Sequence, residues 1–129
     1  MEKRIIATDK APGAVGPYSQ GVRYNDLVIT AGQLGIVPGT KSFAGTEVED
    51  QTRQALENLN AVLEAGGSCL ANVIKTTVFL VDMGEFARMN AVYADFFPEG
   101  PPARSAVQAA ALPLGGRVEI EAIAAACHD

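Results

Sequence analysis

Apolar and polar positions change period several times along the 129 residues, and each change predicts an element. Val48, Thr52, Ala55, Leu56, Leu59, Val62 and Leu63 recur at three- and four-residue spacing, the stripe of an amphipathic helix. Thr46-Glu47-Val48-Glu49 predicts a capping box at its start, with Thr46 as N-cap and Glu49 reaching back. Gly66-Gly67 predicts its end. A second helix follows from Phe86, Met89, Tyr93 and Phe96 or Phe97, opened by an Asp82/Glu85 box and closed by Pro98. Between the helices, residues 73–81 read as a strand, with Ile74, Thr76, Val78 and Leu80 on one face and Lys75, Thr77, Phe79 and Val81 on the other. Apolar residues on both faces predict that both are covered.

Shorter alternating runs predict the remaining strands. Residues 3–7 give the first, and residues 22–24 and 27–31 form a hairpin about Asn25-Asp26. The last two strands are residues 103–111 and 118–125, separated by Pro113 and Gly115-Gly116. Val118, Ile120, Ala122 and Ala124 make a face for the helices, and Glu119, Glu121 and Ile123 point away from it.

Arg104 is the one large charge at the start of a strand of small residues, Ala103-Arg104-Ser105-Ala106-Val107-Gln108, entered through Pro101-Pro102. A guanidinium presents a planar fork that fits a carboxylate or phosphate. With Val107 under the helices, Arg104 joins Lys75, Phe79, Glu119, Glu121 and Ile123 on the opposite face, too apolar to be wet and too charged to be core. That face fits an interface between subunits with buried pockets. A tight hairpin about Leu114-Gly115 would set Gln108 opposite Glu121 and leave Arg104 two pairs away. Arg104 and Glu121 would then meet only across a subunit boundary, or with another strand between them. Gly16-Pro17-Tyr18-Ser19-Gln20-Gly21 is a stiffened turn that holds Tyr18, either on the surface or at a site. Asn90 lies at the rim of the second helical stripe, either as a structural amide or as part of a site.

The length suits one domain, residues 1–129, with a core that needs no staples. Hydrophobic residues are 48% of the chain and the net charge is -5, which argues against a broad nucleic-acid footprint and for surface hidden in an oligomer. No targeting segment or membrane span is expected, and Cys69 and Cys127, far apart and without metal or redox spacing, read as reduced cytoplasmic thiols. His128 in the tail reads as a frayed end and not as part of a ligand set.

Gly16-Pro17-Tyr18-Ser19-Gln20, Gly32-Gln33, Asn90, Pro102-Ala103-Arg104-Ser105 and Val118-Glu119-Ile120-Glu121 together resemble the RidA (YjgF-type) family of imine and enamine deaminases, essentially end to end. The resemblance implies a chorismate-mutase-like α/β (α+β) mixed sheet with two helices on one face. It also implies a homotrimeric barrel with active sites between subunits. The implied activity is hydrolysis of 2-imino acids such as 2-iminopropanoate and 2-iminobutanoate, or their enamine tautomers, to 2-keto acids and ammonia, with no cofactor or metal. By the same resemblance Arg104 holds the substrate carboxylate and Glu121 positions or activates water. Tyr18 and Asn90 shape the cleft, and backbone near Gly32 and Ala106 contacts substrate. Ala106 and Ala31 stand where many bacterial members have cysteine and serine. The first change removes a side chain and keeps the backbone contacts, whereas the second removes a hydroxyl that bears on preference or rate. Two other readings remain: a ribonuclease or translation inhibitor, and a non-catalytic trimer that binds small carboxylates or shields unfolding proteins.

Overall fold

The computed structural model describes residues 2–127. Seven strands form a single mixed sheet: β1 (Arg4–Ile6), β2 (Gly21–Tyr24), β3 (Leu27–Thr30), β4 (Gln33–Leu34), β5 (Val73–Leu80), β6 (Ala103–Gln108) and β7 (Val118–Ala125). The order across it is β1-β2-β3-β7-β5-β6, and β4 also pairs with β7. Helices α1 (Val48–Ala65) and α2 (Phe86–Phe96) cross over between strands. The fold is thus α+β, one sheet with two helices.

The apolar stripes explain the layering. Val48, Ala55, Leu56, Leu59, Val62 and Leu63 of α1 are fully buried, and Thr52 among them returns its hydroxyl to the Val48 carbonyl at 2.7 Å. They meet Val118, Ile120, Ala122 and Ala124, the face of β7 that the alternation predicts. Met89, Tyr93 and Phe97 close the core on the α2 side. The hairpin about Asn25-Asp26 forms, with Tyr24 opposite Leu27 and Asn25 at φ 54°. Gly67 ends α1 in the left-handed region, φ +87°, where a side chain is disfavoured.

Several expectations are corrected. Thr46 does not cap α1. Glu47 occupies the N-cap with no side-chain cap bond, and the acids of the first turn instead reach Arg88 of α2, Glu47 at 2.6 Å and Glu49 at 2.8 Å. The Glu49 carboxylate that would complete the box is engaged by Arg88 through both oxygens. The Arg88 guanidinium, bonded to Glu49 and Glu47, is held further toward its charged form, and Glu49 is held below the usual carboxylate range by the same bond. Asp82 caps only a short 3-10 turn, Met83–Glu85, accepting from the Gly84 amide at 2.8 Å. Glu85 does not reach back. Its carboxylate turns inward to Arg117 at 3.1 Å and tethers the start of β7 to α2.

In β5, Ile74 leaves the buried face. The register slips between Val73 and Lys75, so Val73 is buried and Ile74 is exposed. β6 stops at Gln108, whose side-chain carbonyl accepts from the Met83 amide at 2.8 Å. It forms no hairpin with β7, because β5 lies between them, parallel to β6 and antiparallel to β7. Arg104 is also corrected. Val107 is exposed and does not pack under the helices. Parallel pairing sets Arg104 beside Thr76, Ala106 beside Val78 and Gln108 beside Leu80, all on the helix-covered side. The expectation for His128 lies outside the described residues.

Candidate active site

Arg104 emerges where the edge of the sheet meets α2. Its guanidinium carbon lies 4.7 Å from the centre of the Tyr93 ring and 5.3 Å from that of Phe86. The electron-rich ring faces attract the cation and orient it. One terminal nitrogen donates to Asn90 Oδ1 at 2.7 Å. Phe86, Asn90 and Tyr93 share one face of α2 because they are three and four residues apart. Asn90 thus holds the Arg104 guanidinium against α2. Tyr93 is fixed in turn by a 2.7 Å hydroxyl bond to Thr76, the strand neighbour of Arg104. Burial pushes the Tyr93 phenol up, an effect that the Thr76 bond and the Arg104 charge oppose.

Asn90, Tyr93, Ala94, Phe97, Pro101-Pro102 and Arg104 line a cleft of about 380 Å³. The two prolines thus form a wall in front of the guanidinium. Ala106, two residues further along β6, packs on the edge of the core and is not among the residues that line this cleft.

The carboxylates lie elsewhere. Glu119 and Glu121 are partly buried on the sheet face away from the helices, where Phe79 pairs with Glu119 and Thr77 with Glu121. Thr76 and Thr77 are successive residues, so Arg104 and Glu121 project from opposite faces, with β5 between their strands. Within one protomer they do not converge. Gly32 lies on the carboxylate side. A Cβ there would sit 2.8 Å from the Glu119 carboxyl carbon, so glycine permits Glu119 to lie against the backbone between β3 and β4. Burial, and then the neighbouring Glu121 charge, raises the Glu119 carboxyl above the usual range. The alternation of β7 already places Glu119 on the face away from the helices. Its contact with Gly32 depends on the β4–β7 pairing, which no local pattern announces.

Tyr18 is half exposed and lines an open cleft of about 870 Å³ together with residues 5–9, Ala11, residues 13–14, Ser19, Gln20 and Gly39. Its hydroxyl accepts from the Val15 amide at 3.4 Å, and its own amide donates to the Gly16 carbonyl at 2.8 Å. The residue that organises this loop is Gln20, quoted in the sequence only as part of a motif. Its buried side chain accepts from the Thr8 amide at 2.7 Å and donates to the carbonyls of Thr8 at 3.0 Å and Pro12 at 2.7 Å. A buried amide with both ends bonded is a rigid pin. Among the described residues, no three His, Cys, Asp or Glu side chains cluster as metal ligands do.

A family model described as Endoribonuclease L-PSP matches residues 8–126. The chain belongs to this family. It is the RidA (YjgF-type) family that the motifs resemble. Within it, the chain is 47% identical to the chloroplastic Reactive Intermediate Deaminase A of Arabidopsis thaliana, over 96% of this chain and 66% of that protein. It is 44% identical to the 2-iminobutanoate/2-iminopropanoate deaminase of Homo sapiens, over 95% of this chain and 89% of that one. Among solved structures, E. coli TdcF with bound serine is similar with a TM-score of 0.91 and 44% identity, over 96% of this chain and 99% of that chain. Membership thus joins relatives named as deaminases to a family described as an endoribonuclease. Among the described residues, no helix is long and apolar enough to cross a membrane.

Proposed function

We propose that the protein hydrolyses 2-imino acids such as 2-iminopropanoate and 2-iminobutanoate, or their enamine tautomers, to 2-keto acids and ammonia. The observation that carries this reading is the arginine cleft. A guanidinium gripped by Asn90 and two rings leaves its remaining N–H groups for a ligand, and a carboxylate is the small group that matches such a fork. The deaminase names of relatives at 44% and 47% identity support the same substrate class.

In this reading Arg104 binds the carboxylate, and Asn90 sets the plane of the fork. Water adds to the imine carbon, and Glu121 accepts one water proton and passes it to the imine nitrogen, giving a carbinolamine. The hydroxyl proton then moves through the same carboxylate to nitrogen, the carbonyl forms, the carbon–nitrogen bond breaks, and ammonia leaves. The imine carbon is already electrophilic, so the protein contributes placement and proton transfer. Tyr18 and the backbone at Gly32, both outside the arginine cleft of their own protomer, reach the substrate from the copy that supplies Glu121, and backbone at Ala106 contacts it from the arginine side.

Because Arg104 and Glu121 face apart in one protomer, each working site takes its arginine from one copy and its carboxylate from another. Ile5, Tyr24, Leu27, Ile29 and Val107 are exposed on strands of the sheet, a surface that favours association. The trimer itself is carried by the family resemblance. The cytoplasmic setting rests on reading Cys69 and Cys127 as thiols, although their sulfurs lie 3.7 Å apart and not distant as the sequence separation implies. The 129 residues act as one domain.

The test is a coupled assay in which a dehydratase generates the imine and keto-acid release is timed. Acceleration by this protein and none by Arg104→Ala is the expected result. Release at the same rate with and without the protein overturns the deaminase. Binding of a keto acid without acceleration would move the reading to a carboxylate-binding trimer. The family description favours one further trial, purified protein on RNA with Arg104→Ala beside it.

A further inference from the structure

Cys69 and Cys127 are 58 residues apart in sequence, yet their sulfurs lie 3.7 Å apart. The backbone around them is already joined. The Cys127 amide donates to the Gly67 carbonyl at 2.8 Å, and Ser68 Oγ donates to the Ala125 carbonyl at 2.6 Å. The turn that ends α1 and the end of β7 are therefore laced together immediately before the two thiols. We propose that Cys69 and Cys127 close to a reversible intramolecular disulfide under peroxide, stapling the end of β7 to the turn after α1.

A disulfide needs its sulfurs about 2.05 Å apart, and rotation about the Cα–Cβ bonds is the motion that supplies this approach. The two thiols have different surroundings. Cys127 is exposed and receives an N–H from Asn72 Nδ2 at 3.3 Å, whereas Cys69 is partly buried. An accessible sulfur with an amide donor is the one to meet the oxidant, and the shielded sulfur is the resolving one. The Cys127 sulfur, as thiolate, attacks one peroxide oxygen. The O–O bond breaks and hydroxide leaves, giving a sulfenic acid. The Cys69 sulfur then attacks the sulfenic sulfur, the S–O bond breaks, and a second hydroxide leaves. The two thiol protons end on two waters, and the two electrons lost by sulfur reduce the peroxide.

The bond would enclose β5, α2, β6 and β7, the half of the chain that carries Arg104, Asn90 and both carboxylates. Tying a loop of that length restricts the unfolded chain more than the folded one, so the oxidised form is the more stable. The inference is independent of what the arginine cleft binds. It also differs from the thiol chemistry that Ala106 removes, because neither sulfur lies in that cleft.

The experiment treats the full chain with a graded excess of hydrogen peroxide. Reactive thiols are titrated, peptides are mapped without reductant, and thermal unfolding is followed. The expected result is loss of both thiols together, a Cys69–Cys127 linked peptide, and a rise in Tm on the order of 10 °C that dithiothreitol reverses. Cys69→Ser and Cys127→Ser should each abolish the linked peptide and the rise. Thiols that persist or pass to sulfinic acid without linkage overturn the proposal. So do linkage between chains and a linked form with lower Tm.

Discussion

The two halves of the candidate site are built in different ways. The arginine half is complete within one protomer: a cation lies between two rings, an amide fixes its fork, and Tyr93 is locked to Thr76. The carboxylate half is open. Glu119 and Glu121 lie two residues apart on the uncovered face, and burial lifts Glu119 above the usual carboxylate range. A binding group can be preorganised by its own subunit. On the proposed reading, the group that handles water and a proton gains from an environment finished by a neighbouring copy.

The contrast is tested first at Glu121. Glu121→Gln should lower kcat by about 10²- to 10⁴-fold while leaving KM little changed, the mark of a lost proton acceptor. A change in KM alone would move Glu121 into the binding half. Arg104→Ala should cost at least about a hundredfold in kcat/KM, chiefly through KM, with Tm held within a few degrees, since the side chain lies at the edge of the core. Full activity would remove Arg104 from the site. Co-assembling the two inactive variants sharpens the comparison further. Shared sites predict recovery to about a quarter of wild-type activity, whereas sites within one chain predict none.

Asn90→Ala leaves Arg104 between its rings but frees its fork, so KM should rise roughly tenfold, with little change in circular dichroism. The smallest effect is at Glu119. Its folded-state pKa is raised, so the folded protein holds the proton more tightly than the unfolded chain does. Stability from this group is therefore present below the ordinary carboxylate value of 4.5 and declines as pH rises through the raised value. Glu119→Gln removes that decline. Its Tm should exceed wild type by about one to a few degrees at pH 7, and the gap should close toward pH 4. An equal gap at both pH values would mean that the substitution acts through packing at Gly32.

Much of this was legible in local pattern. The α1 stripe from Val48 to Leu63 lies in the core as its spacing implies, and so do the alternating residues of β7. Arg104 was identifiable as the unusual residue of its strand, and the family followed from the motifs around it. What the pattern missed had non-local causes. The N-cap residue Glu47 and the first-turn Glu49 of α1 bond Arg88, 41 and 39 residues away, in place of the box that the sequence offers. Gln20 could have been suspected as an amide in a glycine-rich turn, but its partners at Thr8 and Pro12 exist only once the loop is folded.

Residue spacing alone determined both helices, six of the seven strands of the described residues, and which side chain could bind an acid; the short β4 exists only through its pairing with β7. Tertiary structure decided the face on which each strand presents them. β6 pairs with β5 so that Arg104 adjoins Thr76, and the slip at Val73/Lys75 turns Ile74 out. A strand has a period of two, so a one-residue change of register inverts every side chain, and register is set by partners far away in sequence.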